Sequence, residues 1–237
     1  MEYKLLPLGD QAVIIEFGTE ISTNIQKKIH LVTAYLDEQA PPWMIEYIPA
    51  FTTVTIFYQP AAISRLCNHR YLPFEYASEL ITSLLSSITG GKTSEPRVVK
   101  IPVCYGGEFG PDIENVAKLN GLTTEEVIHI HATGVYSVFM IGFAPGFPFI
   151  GGMSEKIAAP RRATPRLKIP ARSVGIAGIQ TGVYPIETPG GWQLIGRTPL
   201  ELFRPDDAVP SLLQAGDQVQ FTPISLEEYQ EWENENQ

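Results

Sequence analysis

Between Gly142 and Leu200 glycine and proline recur every few residues: GFAPGFPFIGGM, then PRRATPR, then IPARSVGIAGIQTGVYPIETPGGWQLIGRTPL. Glycine opens backbone conformations closed to other residues, and proline fixes φ and removes a donor. Such a mixture forbids long helices. It predicts short strands joined by tightly specified turns, with Arg, Phe, Tyr and Trp side chains presented on them.

The rest of the 237-residue chain reads differently. Gln11–Phe17 alternates as a strand with Val13, Ile15 and Phe17 on one face, and residues 21–36 carry Ile25, Ile29, Val32 and Leu36 at helical spacing. Met44–Ile48 and Thr53–Tyr58 read as strands around Pro49-Ala50-Phe51, and Tyr76–Ile88 as a second amphipathic helix. Strands packed under helices predict an α+β N-terminal domain over 1–95. Residues 89–96, TGGKTSEP, read as a linker. Beyond it, Arg97–Val103 is a predicted strand, a short helical interlude follows, and Thr123 with Glu126 forms a capping box for a helix reaching about His131. After Val135 the pattern is strands and turns, predicting a mostly-β barrel or sandwich over 96–237. The acidic end, SLEEYQEWENENQ, reads as an exposed, fraying tail.

Composition excludes several classes. With 26 acidic against 17 basic residues the net charge is −9, which disfavours a phosphate-lined nucleic-acid partner. No apolar run reaches the roughly 20 residues of a membrane helix, and MEYKLLPLGDQAV lacks a signal-peptide pattern. Cys67 and Cys104 show no pairing pattern and read as reduced thiols. A cytoplasmic protein is expected.

Several motifs invite misreading. Gly90-Gly91-Lys92-Thr93 resembles the end of a phosphate-binding loop, but Ser86 stands where its first glycine belongs. Gly175, Gly178 and Gly182 have the wrong spacing for a dinucleotide fingerprint. Ser173 in Ala-Arg-Ser-Val-Gly lacks the strand-to-helix elbow of a nucleophile. His129 and His131, two apart on a helix, point about 200° apart and cannot share a metal; no metal site is expected. His131 alone is a candidate acid or base with a pKa near neutrality. Arg161, Arg162 and Arg166, bracketed by Pro160 and Pro165, offer guanidinium forks either to a ligand anion or to the chain's own carboxylates. Tyr184 and Trp192, on Gly/Pro turns, serve either as anchors for a ligand or partner or as core.

The runs IPVCYGGEFGPD, His131 with Tyr136, GFAPGFPFIGG, PRR…PR, SVGIAGIQTGVYP and TPGGWQLIGRTP, with LGDQAVIIEFG and PAFTTVTIFY nearer the N-terminus, resemble the family of 5-oxoprolinase B subunits, also called KipI-like or allophanate hydrolase subunit 1-like. The resemblance covers nearly the whole chain. It implies an α+β N-terminal domain and a C-terminal cyclophilin-like β-barrel. It also implies an ATP-hydrolysing amidohydrolase complex in which subunits A, B and C cleave 5-oxo-L-proline to L-glutamate, the amide oxygen being phosphorylated before water attacks. ATP and Mg belong to the complex, and none is expected on this chain alone. One branch of the family instead inhibits a sporulation sensor histidine kinase by binding it. Within the enzyme reading, Arg161, Arg162 or Arg166 would hold a carboxylate or phosphoryl oxygen and His131 would move a proton, while Gln180, Tyr184 and Trp192 shape the pocket. Two positions depart from the family pattern: Arg172 replaces the usual glycine of the IPAGSV turn, and Phe149 replaces a common tyrosine. If position 172 needs a positive φ, arginine there costs about 1 kcal/mol.

Overall fold

The computed structural model describes residues 1–20, 22–88 and 96–235. The predicted linker and its Gly-Gly-Lys-Thr run fall almost wholly outside the described residues. The chain divides into two compact units, Met1–Glu95 and Pro96–Gln237.

In the first unit, β1 (Lys4–Leu8), β2 (Ala12–Glu16), β3 (Met44–Pro49) and β4 (Thr53–Tyr58) form an antiparallel sheet in the order β1-β2-β4-β3. The helices are α1 (Thr23–Glu38), α2 (Pro60–Leu66) and α3 (Pro73–Ser87). Period-2 burial along β4 turns Val54, Ile56 and Tyr58 inward. They meet Val13 and Ile15 of β2, the Ile25, Ile29, Val32 and Leu36 stripe of α1, and Ala77, Ile81, Leu84 and Leu85 of α3 in one core. Ser22 caps α1 through its side chain to the Ile25 N–H. Helix α2, whose seven residues open on Pro60, and strand β1 have no counterpart in the sequence reading.

The second unit is a closed barrel of seven strands in the order β10-β7-β6-β13-β5-β12-β9. Its strands are β5 (Val98–Tyr105), β6 (Tyr136–Ile141), β7 (Pro148–Gly151), β9 (Ser173–Ala177), β10 (Gln180–Val183), β12 (Gln193–Arg197) and β13 (Gln218–Pro223). Closure leaves no barrel strand with an unpaired edge. Strand β13 runs parallel to β5, Val98 lying beside Gln218. Between β5 and β6 come α4 (Ile113–Asn120) and α5 (Thr124–Thr133). The predicted box caps α5: Glu126 N–H donates to Thr123 Oγ1, and Thr123 N–H to Glu126 Oε2. Strands β8 (Arg166–Ile169) and β11 (Thr188–Gly190) pair as a separate ribbon outside the barrel. The barrel core gathers Ile101, Val103, Tyr136, Ile150, Ile176 and Phe221, with Val116 and Val127 from α4 and α5.

The chain end is a correction in part. Leu226–Glu235 forms a helix, α6, exposed along most of its length as expected, but its Tyr229 is buried and its ring lies 4.6 Å from that of Phe109. Both cysteines are free and buried.

Candidate functional site: an aromatic cleft rimmed by Arg161

The Gly/Pro-rich stretch builds one feature. Phe147, Tyr184 and Trp192 pack edge to face, Phe147 lying 5.4 Å from Tyr184 and 5.8 Å from Trp192 between ring centroids, with Ile169, Ala177 and Leu194 beneath. Glycine makes this packing possible at two places. A Cβ on Gly182 would sit 3.0 Å from the Trp192 ring, and one on Gly190 would sit 2.6 Å from the Tyr184 hydroxyl. Above the cluster opens a cleft of about 370 Å³, walled by Phe143, Phe147, Phe149, Tyr184 and Trp192 on its aromatic side. Arg161, Pro165 and the Pro189–Gly191 turn form its rim. Phe143 is 68% exposed and holds φ at +70°, a left-handed conformation that a bulky residue rarely adopts. The turn behind it is closed by Gly142 N–H to Phe147 O at 3.0 Å.

The three arginines separate by role. Arg162 Nη1 donates to Asp112 Oδ1 at 2.8 Å, and Arg166 donates from Nη1 to Oδ2 at 2.8 Å and from Nη2 to Oδ1 at 2.9 Å. The Leu194 N–H gives the same carboxylate a fourth bond at 2.7 Å. Burial pushes the Asp112 carboxyl up. The Arg166 and Leu194 hydrogen bonds and the charges of Arg166 and Arg162 outweigh that effect and hold it below the usual carboxylate range. Arg162 and Arg166 are therefore spent on the chain's own carboxylate. Of the two alternatives for these arginines, the structure shows the pairing with an own carboxylate: Arg166 through its whole fork and Arg162 through Nη1 alone. Arg161 is exposed, lines the cleft, and has no ion pair among the described residues.

Tyr184 and Trp192 are buried and wall the cleft, so each is both core and lining. Burial pushes the Tyr184 phenol up to about 12, against the lowering pull of the Trp192 backbone and of the Arg161 and Arg166 charges. It stays a neutral donor at physiological pH. Gln180 opens β10 opposite Ala177 and is not among the cleft's lining residues.

His131 lies elsewhere, fully buried inside the barrel, its ring 4.4 Å from Phe221 and 5.5 Å from Tyr136 between centroids. Its Nε2 meets Thr181 Oγ1 at 2.8 Å and its Nδ1 meets Tyr105 Oη at 2.7 Å. The Thr181 hydroxyl proton is committed to Gly175 O at 3.0 Å. Nε2–H therefore donates to Thr181, and Nδ1 accepts from Tyr105. Burial lowers its pKa to about 3, which corrects the expectation of a near-neutral proton carrier. The residue that sequence reasoning missed is Asp112. Its signal was an aspartate just before an apolar helix face, in a chain whose arginines cluster in one short run.

A cleft of this kind can take a flat, partly apolar molecule against its aromatic wall and an anionic group on one guanidinium. Fold and site together define a closed-barrel protein with a cation-rimmed aromatic cleft. Residues 3–213 match the family described as carboxyltransferase domain, subdomain C and D. The chain is 53% identical over 237 residues to the B subunit of 5-oxoprolinase from Bacillus subtilis, covering all of this chain and 99% of that one. It is 40% identical over 217 residues to the protein of that name in Escherichia coli O157:H7, covering 91% and 94%. Among solved structures, TTHA0988 superposes with a TM-score of 0.77 at 32% identity; the match covers 91% of this chain and 40% of that longer one. The Kluyveromyces lactis urea carboxylase shares the fold, with a TM-score of 0.73 at 19% identity over 96% of this chain and 22% of its own. The chain belongs to the family of 5-oxoprolinase B subunits, within the class of carboxyltransferase subdomain C and D proteins.

Proposed function

We propose that this protein is the B subunit of an ATP-dependent 5-oxoprolinase, acting with subunits A and C to hydrolyse 5-oxo-L-proline to L-glutamate. The end-to-end 53% identity to a protein named as the B subunit of 5-oxoprolinase carries the reading. The cleft supports it chemically. 5-Oxoproline is a small ring bearing one carboxylate and one planar amide. Arg161 would take the carboxylate bidentately, while Tyr184, Trp192 and Phe149 would flank the ring. The lining holds no His, Cys, Asp or Glu, and burial holds the Tyr184 phenol too high to give up its proton readily at neutral pH. The cleft is therefore one wall of a site that a partner subunit completes.

ATP and Mg act at the level of the complex in this reading. Among the described residues no group of three or more His, Cys, Asp or Glu could hold a metal ion. In this reading residues 1–95 serve as an α+β N-terminal domain and residues 96–237 as a cyclophilin-like barrel domain. The protein works in the cytoplasm.

The test is reconstitution with subunits A and C. ATP-dependent glutamate release should require this chain, and Arg161→Ala should raise the KM for 5-oxoproline by about tenfold or more. Unchanged affinity and turnover would remove Arg161 from the site. Glutamate release without this chain would sink the enzyme reading, and inhibition of sensor histidine kinase autophosphorylation by the chain alone would support the regulator.

A further inference from the structure

Asp112 touches neither the cleft nor its rim, yet its carboxylate bonds to both sides of it. From one side it receives Arg162 and Arg166, which flank the rim residues Arg161 and Pro165. From the other it receives the N–H of Leu194, two residues past the wall residue Trp192. Four accepted hydrogen bonds match the acceptor capacity of a carboxylate, and the residue is 4% exposed.

We propose that Asp112 is the positioning residue of this cleft: by binding Arg162, Arg166 and Leu194 at once, it fixes the Arg161 rim against the Trp192 wall. Strand pairing also ties the two sides, Arg166 of β8 lying opposite Gly190 of β11, and two further hydrogen bonds reach backbone groups of the rim. Arg162 N–H donates to Gly191 O at 2.7 Å, and Gln193 Nε2 donates to Pro160 O at 2.9 Å. Neither restrains the guanidinium groups. Asp112 does, and it sits on a stable base, immediately before α4, with its own N–H donating to Leu194 O at 2.9 Å. It also sets the charge of the site. Three clustered guanidinium groups would favour a multiply charged anion. With two of them tied to one carboxylate, a single fork faces the cleft, which suits a monocarboxylate. Removing the carboxylate would leave two partly buried cations unpaired beside the rim.

This inference deepens the function proposed above and rests on it for the substrate, but the ordering of the rim can be measured without substrate. In Asp112→Asn, an amide N–H replaces one acceptor and faces a guanidinium donor. Hydrogen–deuterium exchange on the full chain should speed up by about tenfold in segments 160–166 and 190–194, with β13 and α1 unchanged. In the complex reconstituted with the partner subunits, KM for 5-oxoproline should rise by about tenfold, with kcat and the KM for ATP within about twofold of the parent. Arg166→Lys keeps the charge and loses the fork, and should show the same pattern more weakly; it carries the test if Asp112→Asn does not fold. Unchanged exchange at the rim in a folded variant overturns the proposal, as does a loosened rim with an unchanged KM. A parent complex that releases no glutamate defeats the substrate assignment, while the exchange experiment still decides the positioning role.

Discussion

Arg172 shows how one side chain offsets a strained backbone. Its φ is +70°, a left-handed conformation that glycine adopts far more readily than arginine. The turn needs that shape because the Arg172 N–H donates to Tyr184 O and its carbonyl accepts from the Thr198 N–H at 3.0 Å. The guanidinium then donates to Pro199 O at 3.1 Å and pairs with Glu233 at 2.6 Å. Replacing Arg172 by Ala keeps the strain and loses both contacts. Replacing it by Gly loses the contacts and relieves the strain. Urea unfolding should therefore rank Arg172→Gly above Arg172→Ala by about 1 kcal/mol; equal midpoints would mean the turn stores no strain. The positive φ was legible as a condition, since a glycine position occupied by arginine raises the question. The pairing with Glu233 was not legible, because nothing local links two residues so far apart in sequence.

At the scale of elements, legibility followed the local signal. Strand β4 and helix α5 stood where alternation and a capping box placed them, because both patterns are written within a few residues. Helix α6 carries the same kind of signature, masked by the acidity that makes the segment look like a tail. Ser225 N–H donates to Glu228 Oε2 at 2.7 Å and Glu228 N–H to Ser225 Oγ at 3.2 Å, the reciprocal cap that S-x-x-E announces. Caps start a helix, but packing holds it. Here the packing is Tyr229 against Phe109, with the Arg172–Glu233 pair beyond it. Tyr229→Ala should cost about 3 kcal/mol in urea unfolding, as truncation of a buried aromatic does. A loss below about 0.5 kcal/mol, the size of an ordinary surface change, would return α6 to the status of an exposed tail. Strand β1 is not legible because a proline interrupts it, and helix α2 because its seven residues bury only Ile63 and so carry no amphipathic stripe.

For the whole molecule, the buried imidazole governs acid stability. His131 has a folded pKa of about 3 against an ordinary 6.5, so between those values the unfolded chain binds the proton that the folded chain refuses. Its contribution is fully present above pH 6.5 and is lost as pH falls towards 3. Asp112 acts in the same direction lower down: its folded pKa is depressed, so its contribution is complete above the ordinary 3.8 and is lost as pH falls through its lowered value. His131→Gln should flatten the decline in unfolding free energy between about pH 6.5 and about pH 4, measured by urea titration at stepped pH. An unaltered slope would show that the imidazole titrates normally in the folded protein.

The sequence alone determined the periodicities, the change of pattern near residue 95, the family, and the stretch in which to look, since alternation, capping and Gly/Pro spacing act over a few residues. Tertiary structure decided which members of that stretch remain open to a ligand. Arg161, Arg162 and Arg166 are the same residue in one short run, and only the arrival of Asp112 from before α4 separates two scaffold arginines from one at the rim. His131 likewise left the candidate list because barrel closure removed its water, and a desolvated imidazole stays neutral. Both outcomes depend on groups far apart in the chain, where burial and long-range pairing replace local pattern as the deciding physics.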